Sequence, residues 1–227
     1  MRRIVKKAEC KELRDWKRLN ISSPQNIHYD NLGREQRAPM LNALILEQGY
    51  LCAYTMKPIY PLNDSWQAHI EHIYPRSRHP ARSVDWQNML ACVPASNAHC
   101  DFGAKLKDNY DPQTQPFLVP TTIGVSSQFK FRENGEVEGL TNAAKECVDE
   151  KVLNLNHPYL VNDRAGKIKG ALNTKPSAAA ARQRAIDLRK FKQDGTLEPY
   201  CEAIAQALET YATRLDNRAK RVRGASR

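Results

Sequence analysis

Near the start of the chain, Leu13 and Trp16 lie in a basic amphipathic stretch, and a polar loop holding Pro24 follows. Leu41, Leu44 and Ile45 share one face of a helix predicted from about Arg34, and Gly49 is placed to end it. The pattern then turns strand-like. Tyr50 to Tyr54 and Gln67 to Ile73 read as two strands separated by a turn region around Pro58 to Asp64, ahead of a long loop with Pro75, Arg76 and Pro80. Helical pieces are expected from Asp85 and again from about Asn97 or His99.

The second half reads more regularly. Asp111 to Pro120 holds three prolines and predicts an extended connection. Gln128 to Leu140 alternates apolar and polar residues around Asn134-Gly135, a strong short-range hairpin signal. From Thr141 the period becomes helical: Thr141 is placed to cap a helix bearing Ala144, Cys147 and Val148, and Ser177 another that runs to Gln193, where Asp194-Gly195 breaks it. In the last helix Tyr200, Ile204, Ala207, Tyr211 and Leu215 form a stripe, which reads as intramolecular core, with a partner-binding face as the minority reading. Ala178 to Ala181 simply favours helix.

Composition narrows the class. At 227 residues, 41% hydrophobic and 26% charged, the chain has the makeup of a folded globular protein with a real core. No apolar run approaches the roughly 18 to 20 residues of a membrane span, and the Met-Arg-Arg-Ile start lacks the apolar region of a secretory signal. A cytoplasmic protein with no membrane partner is therefore expected. Its six cysteines then read as free thiols or metal ligands rather than as a disulfide framework.

The formal charge of +10 is unevenly placed: residues 1 to 18 carry eight Lys or Arg against three acids, residues 182 to 227 eleven against six, and the remainder is neutral. Basic ends of this kind suit contacts to a phosphate backbone; solvated helix faces plus a tail at Arg221, Arg223 and Arg227 are an equal reading.

The chemistry concentrates in one run, HIEHIYPRSRHPARSVDWQNMLACVPASNAHCDFGAK, from His69 to Lys105. Glu71 offers a hard carboxylate of the sort Mg²⁺ or Mn²⁺ prefers, and the neighbouring His72 is suited to general-base work at neutral pH. Neighbours on a strand point to opposite faces, so the two serve one site only where a strand ends, and Pro75 makes such an ending plausible. Taken alone, the pair reads as a surface strand end. Asn88 is a neutral amide able to hold a loop by its backbone, or equally a helix cap. Asn97, His99 and Asp101 are candidate second ligands, and Arg76, Arg78 and Lys105 candidate phosphate contacts.

This ordered set resembles the HNH nucleases of the ββα-metal class and, within them, the HNH subunit of Septu-type and retron-associated bacterial anti-phage systems. The strings that carry the resemblance are QGYLCAYT, HIEHIYPRS, DWQNMLACV and CDFGAK, with VLNLNHPYLVNDRAGKIKGAL as a weaker match. The resemblance implies an α+β fold: a basic N-terminal segment and helix over 1–48, an HNH ββα-metal core over 49–110, and a β-hairpin with a mainly helical extension over 111–227 for partner docking. It gives Glu71 the metal, His72 the role of general base and Asn88 the support of the loop. Asp101 stands where the last motif residue follows a cysteine, with His99 and Asn97 as alternates because one extra residue separates Cys100 from Lys105.

Family members also hold a structural zinc on four cysteines. Here Cys52, Cys92 and Cys100 remain, Thr55 stands where a fourth belongs, and His99 is a conceivable substitute; small core residues are the other reading. The resemblance further implies an ABC or SMC-like ATPase partner, in some systems also a retron reverse transcriptase with its noncoding nucleic acid. Two rivals are a non-cleaving nucleic-acid or protein-binding module on the same scaffold and a stand-alone restriction or homing endonuclease.

Overall fold

Apolar periodicity places most of the helices. The face carrying Leu44 and Ile45 buries in helix α2 (Arg34–Glu47), which packs on α1 (Lys11–Leu19) through the buried Leu13. Gly49 ends α2 with φ +64°, where a Cβ would meet the Leu197 side chain at 2.7 Å, so glycine is required there twice over. The computed structural model describes residues 1–225, with side chains to residue 222; Arg227 and the side chain of Arg223 lie outside the described residues. Within them, seven α-helices and three two-stranded antiparallel sheets make an α+β fold.

The strand pairing departs from the sequence reading. Tyr50 to Tyr54 is not a strand. Tyr50 and Met56 both take positive φ, Met56 N–H donates to the Cys52 carbonyl at 3.0 Å, and Ile59 N–H donates to the Tyr50 carbonyl at 2.8 Å. This segment folds back on itself, leaving only an isolated bridge between Leu51 and Pro58. A short hairpin follows, β1 (Pro61–Leu62) with β2 (Ser65–Trp66). The motif strand β3 (His69–His72) instead pairs across the long loop with β4 (Met89–Cys92), His69 opposite Cys92 and His72 opposite Met89.

The helix expected from Asp85 is thus corrected to a single 3-10 turn, Trp86–Asn88, that feeds β4. All four β4 residues are buried, and a short continuous apolar run of that kind does not distinguish strand from helix by period. Helix α3 is also shorter and later than expected, Ala104–Lys107. Gly103 precedes it at φ 72°, ψ −144°, a conformation reserved for glycine, and its N–H donates to the Leu153 carbonyl at 2.8 Å.

The hairpin predicted around Asn134-Gly135 forms as β5 (Phe129–Phe131) with β6 (Val137–Gly139). Arg164, fully buried, ties its turn to helix α5 (Pro158–Leu172) by donating at 2.6 Å to the carbonyls of Gly135 and Leu155. The side chains of Thr141 and Ser177 cap α4 (Asn142–Val148) and α6 (Ala178–Leu188), the latter ending sooner than Gln193. Of the predicted stripe, Tyr200 just before α7 (Cys201–Ala225) and Ile204 and Ala207 within it are buried, Tyr211 is partly buried against the core, and Leu215 is half-exposed; the helix packs on α5 and α6, so the stripe is core over its first half. Buried side chains from all three stretches of the chain, from Met1 to Ala212, join in one connected core. No helix among the described residues is long and apolar enough to cross a membrane.

Candidate active site

The order β3, loop, β4, α3 opens a cleft of about 580 Å³ at the end of β3. It is lined by Glu71 and His72 from the strand, Pro75 and Arg76 from the loop, Lys105 and Asp108 around α3, and His28 and Asp30 from the N-terminal third. β3 ends at His72, and this ending lets two strand neighbours of opposite face reach one space.

His72 is 7% exposed. Its Nε2 lies 2.9 Å from the Ser83 carbonyl, which can only accept, so Nε2 carries the proton and the neutral ring has its lone pair on Nδ1. The Tyr29 ring meets the imidazole edge-on at 4.8 Å, and the Tyr29 N–H reaches Ser83 Oγ at 3.4 Å. Burial pulls the His72 pKa down to about 4, and Arg76 and Lys107 add to the shift. The ring is therefore a neutral base across the physiological range.

Asn88 holds the loop that frames this histidine. Its Oδ1 accepts from Tyr74 N–H at 2.8 Å, and its Nδ2 donates to the carbonyls of Tyr74 and Arg82 at 3.1 Å each. One buried amide at the end of the segment between β3 and β4 thus satisfies three backbone groups, two near its start and one in its interior.

The Glu71 carboxylate is 12% exposed and already engaged: Lys107 Nζ lies 3.0 Å from Oε1, and the Tyr54 hydroxyl donates to the same oxygen at 3.2 Å. His69, two residues back and on the same face of β3, donates from Nδ1 to the Pro94 carbonyl at 2.6 Å, which leaves the lone pair on Nε2. Arg76 is ion-paired with Asp30, and its guanidinium lies 4.6 Å over the Tyr29 ring. Lys105 lines the cleft while donating to the Ser96 carbonyl at 2.6 Å.

Other expected residues lie elsewhere. Asn97, His99 and Asp101 are not part of the cleft lining; His99 and Asp101 are 86% and 72% exposed and face each other at 3.5 Å. Arg78 is exposed and likewise outside the lining. Cys52 and Cys92 sit together, buried, while Cys100 is half-buried. Burial raises both buried thiols, but at Cys52 hydrogen bonds from Cys92 and Thr55 outweigh it and bring that thiol down. Among the described residues no group of three His, Cys, Asp or Glu side chains is arranged to hold a metal ion, and Cys52, Cys92 and Cys100 are not gathered into one. The cleft donors do fit a hydrated Mg²⁺ or Mn²⁺, which needs only one or two protein oxygens together with substrate phosphates.

Part of the charge at the basic ends is matched within the chain. Lys6 is buried against Glu47 at 2.6 Å, Lys17 pairs with Glu9, Arg189 with Glu202 and Glu209, and Arg182 with Asp216. Ion-paired helix faces account for these groups. Sequence reasoning missed His69, Lys107, Asp30 and Tyr29. Only His69 carried a signal, its period-two spacing from Glu71. Compared with known proteins, the chain matches no protein-family model and no curated protein.

Proposed function

We propose that this protein is a metal-dependent endonuclease of the HNH type that hydrolyses phosphodiester bonds of nucleic acid, acting as the effector of an anti-phage complex with an ABC or SMC-like ATPase. The observation that carries the reading is the meeting of Glu71 and His72 in one cleft at the end of β3, with the imidazole proton committed to Ser83 and the Nδ1 lone pair left over. In this reading His72 takes a proton from the attacking water through Nδ1. Asn88 keeps the loop that carries the Ser83 carbonyl in register. Arg76 and Lys105 orient neighbouring phosphates, Arg76 once it is released from Asp30. Mg²⁺ or Mn²⁺, when bound, would supply charge neutralisation at the phosphate and leaving oxygen, with Glu71 and His69 as the donors nearest to hand.

The test is cleavage of labelled duplex DNA, single-stranded DNA and RNA in Mg²⁺, Mn²⁺ or chelator, with and without the ATPase. Strand scission that requires the divalent ion and is lost in Glu71→Gln supports the proposal. Binding without scission under every condition overturns it in favour of the non-cleaving clip. That second reading draws on the engagement of Glu71 by Lys107 and Tyr54.

A further inference from the structure

Lys107 does not line the cleft but stands buried directly behind Glu71, and it is the least expected polar group at the site. Its side chain has no exposed surface, and its ammonium makes two polar contacts, Glu71 Oε1 at 3.0 Å and the His72 carbonyl at 3.1 Å. Both partners belong to the last two residues of β3, so the charge is fixed against the strand end from the short helix α3. A buried ammonium needs such partners, because an unpaired charge in this setting is strongly unfavourable. With the Tyr54 hydroxyl on the same oxygen, Oε1 is fully used, and Oε2 is the oxygen left for an incoming ion.

We infer that Lys107 is a built-in cation that competes with the divalent ion for Glu71, so that the cleft holds metal weakly by itself and tightly only alongside nucleic-acid phosphate. The inference rests on the role given to Glu71 under Proposed function and adds its regulation. The physical reason is Coulombic. A divalent ion on Oε2 stands within a few ångströms of an ammonium that cannot leave, and in partly buried surroundings like charges at that range repel strongly. Phosphate oxygens reverse the balance, since they bring negative charge to the ion and share its coordination. A nuclease so arranged is protected from cutting in the absence of its substrate backbone.

The experiment is Mn²⁺ binding, followed by calorimetry and by the loss of free-ion paramagnetic resonance signal, with no turnover involved. Lys107→Met removes the charge and keeps the length; it is expected to tighten Mn²⁺ binding by about tenfold or more. Lys107→Gln should act in the same direction, and Tyr54→Phe, which loosens Glu71 without altering charge, should shift affinity by less than about threefold. The wild-type protein supplies an arm that needs no substitution: a phosphorothioate oligonucleotide should tighten its Mn²⁺ binding. Mn²⁺ binding that needs Glu71, shown by its loss in Glu71→Gln, yet is unmoved by Lys107→Met or by the oligonucleotide overturns this inference alone. Binding that survives Glu71→Gln removes Glu71 from the cation site and overturns the inference together with that part of the proposed function.

Discussion

Two connecting segments frame the cleft, and they are built in opposite ways. The segment from Ile73 to Asn88 is pinned throughout: by the Asn88 amide near its start and in its interior, by His79 on the Asp111 carboxylate at 2.8 Å, and by the Asp85 side chain accepting from Gln87 N–H at 2.9 Å. The segment from Val93 to Gly103 is held mainly by its ends. Lys105 bonds the Ser96 carbonyl and Asn154 the Asp101 carbonyl, while the side chains of His99 and Asp101 stand in solvent. Residue types alone look equally promising in both. Only the first sets its polar side chains against buried backbone groups that must be satisfied, and that demand fixes their geometry.

The contrast can be broken by substitution. Asn88→Ala strips partners from three backbone groups and is expected to lower stability by about 3 kcal/mol in denaturant titration. An equal loss from Asp101→Ala would erase the difference between the segments.

Acid tests the pinned segment a second way. The His72 pKa falls from 6.5 unfolded to about 4 folded. The stabilisation is therefore present above pH 6.5 and is lost as pH drops toward 4, amounting to a difference on the order of 3 kcal/mol. His72→Gln should flatten that part of the stability curve, and the acid limb of cleavage should lie well below pH 6.5. The far side of the fold calibrates these numbers. Arg164→Leu abandons the carbonyls of Gly135 and Leu155 and should cost about 3 kcal/mol by thermal melt, without changing Mn²⁺ binding. The smallest effects are expected in the open segment, where His99→Ala and Asp101→Ala should each move stability by less than about 0.5 kcal/mol.

How much was legible in the sequence follows from the same physics. Helices α2, α4 and α6, the β5–β6 hairpin and the buried first half of the α7 stripe were readable because period, caps and the Asn134-Gly135 turn are local signals. The β3–β4 pairing was not. Its second strand is a fully buried apolar run, and its rival at Tyr50 to Tyr54 was removed by positive-φ residues whose side chains give no warning. At the site, Glu71 and His72 in the cleft and Asn88 behind its loop were readable as an ordered set. Lys107 and Asp30 were not, since a buried lysine and a carboxylate 41 residues before Glu71 acquire meaning only from the fold.

The central claim, that the end of β3 and not the exposed segment carries the chemistry, is tested most directly by single-turnover cleavage rates of His72→Ala and Asp101→Ala under one set of ionic conditions. The account predicts a loss of a thousandfold or more, on the order of a removed general base and its ordered surroundings, for the first, and a rate within about threefold of wild type for the second. A His72→Ala protein that cuts at the wild-type rate, or an Asp101→Ala protein that does not cut, contradicts it.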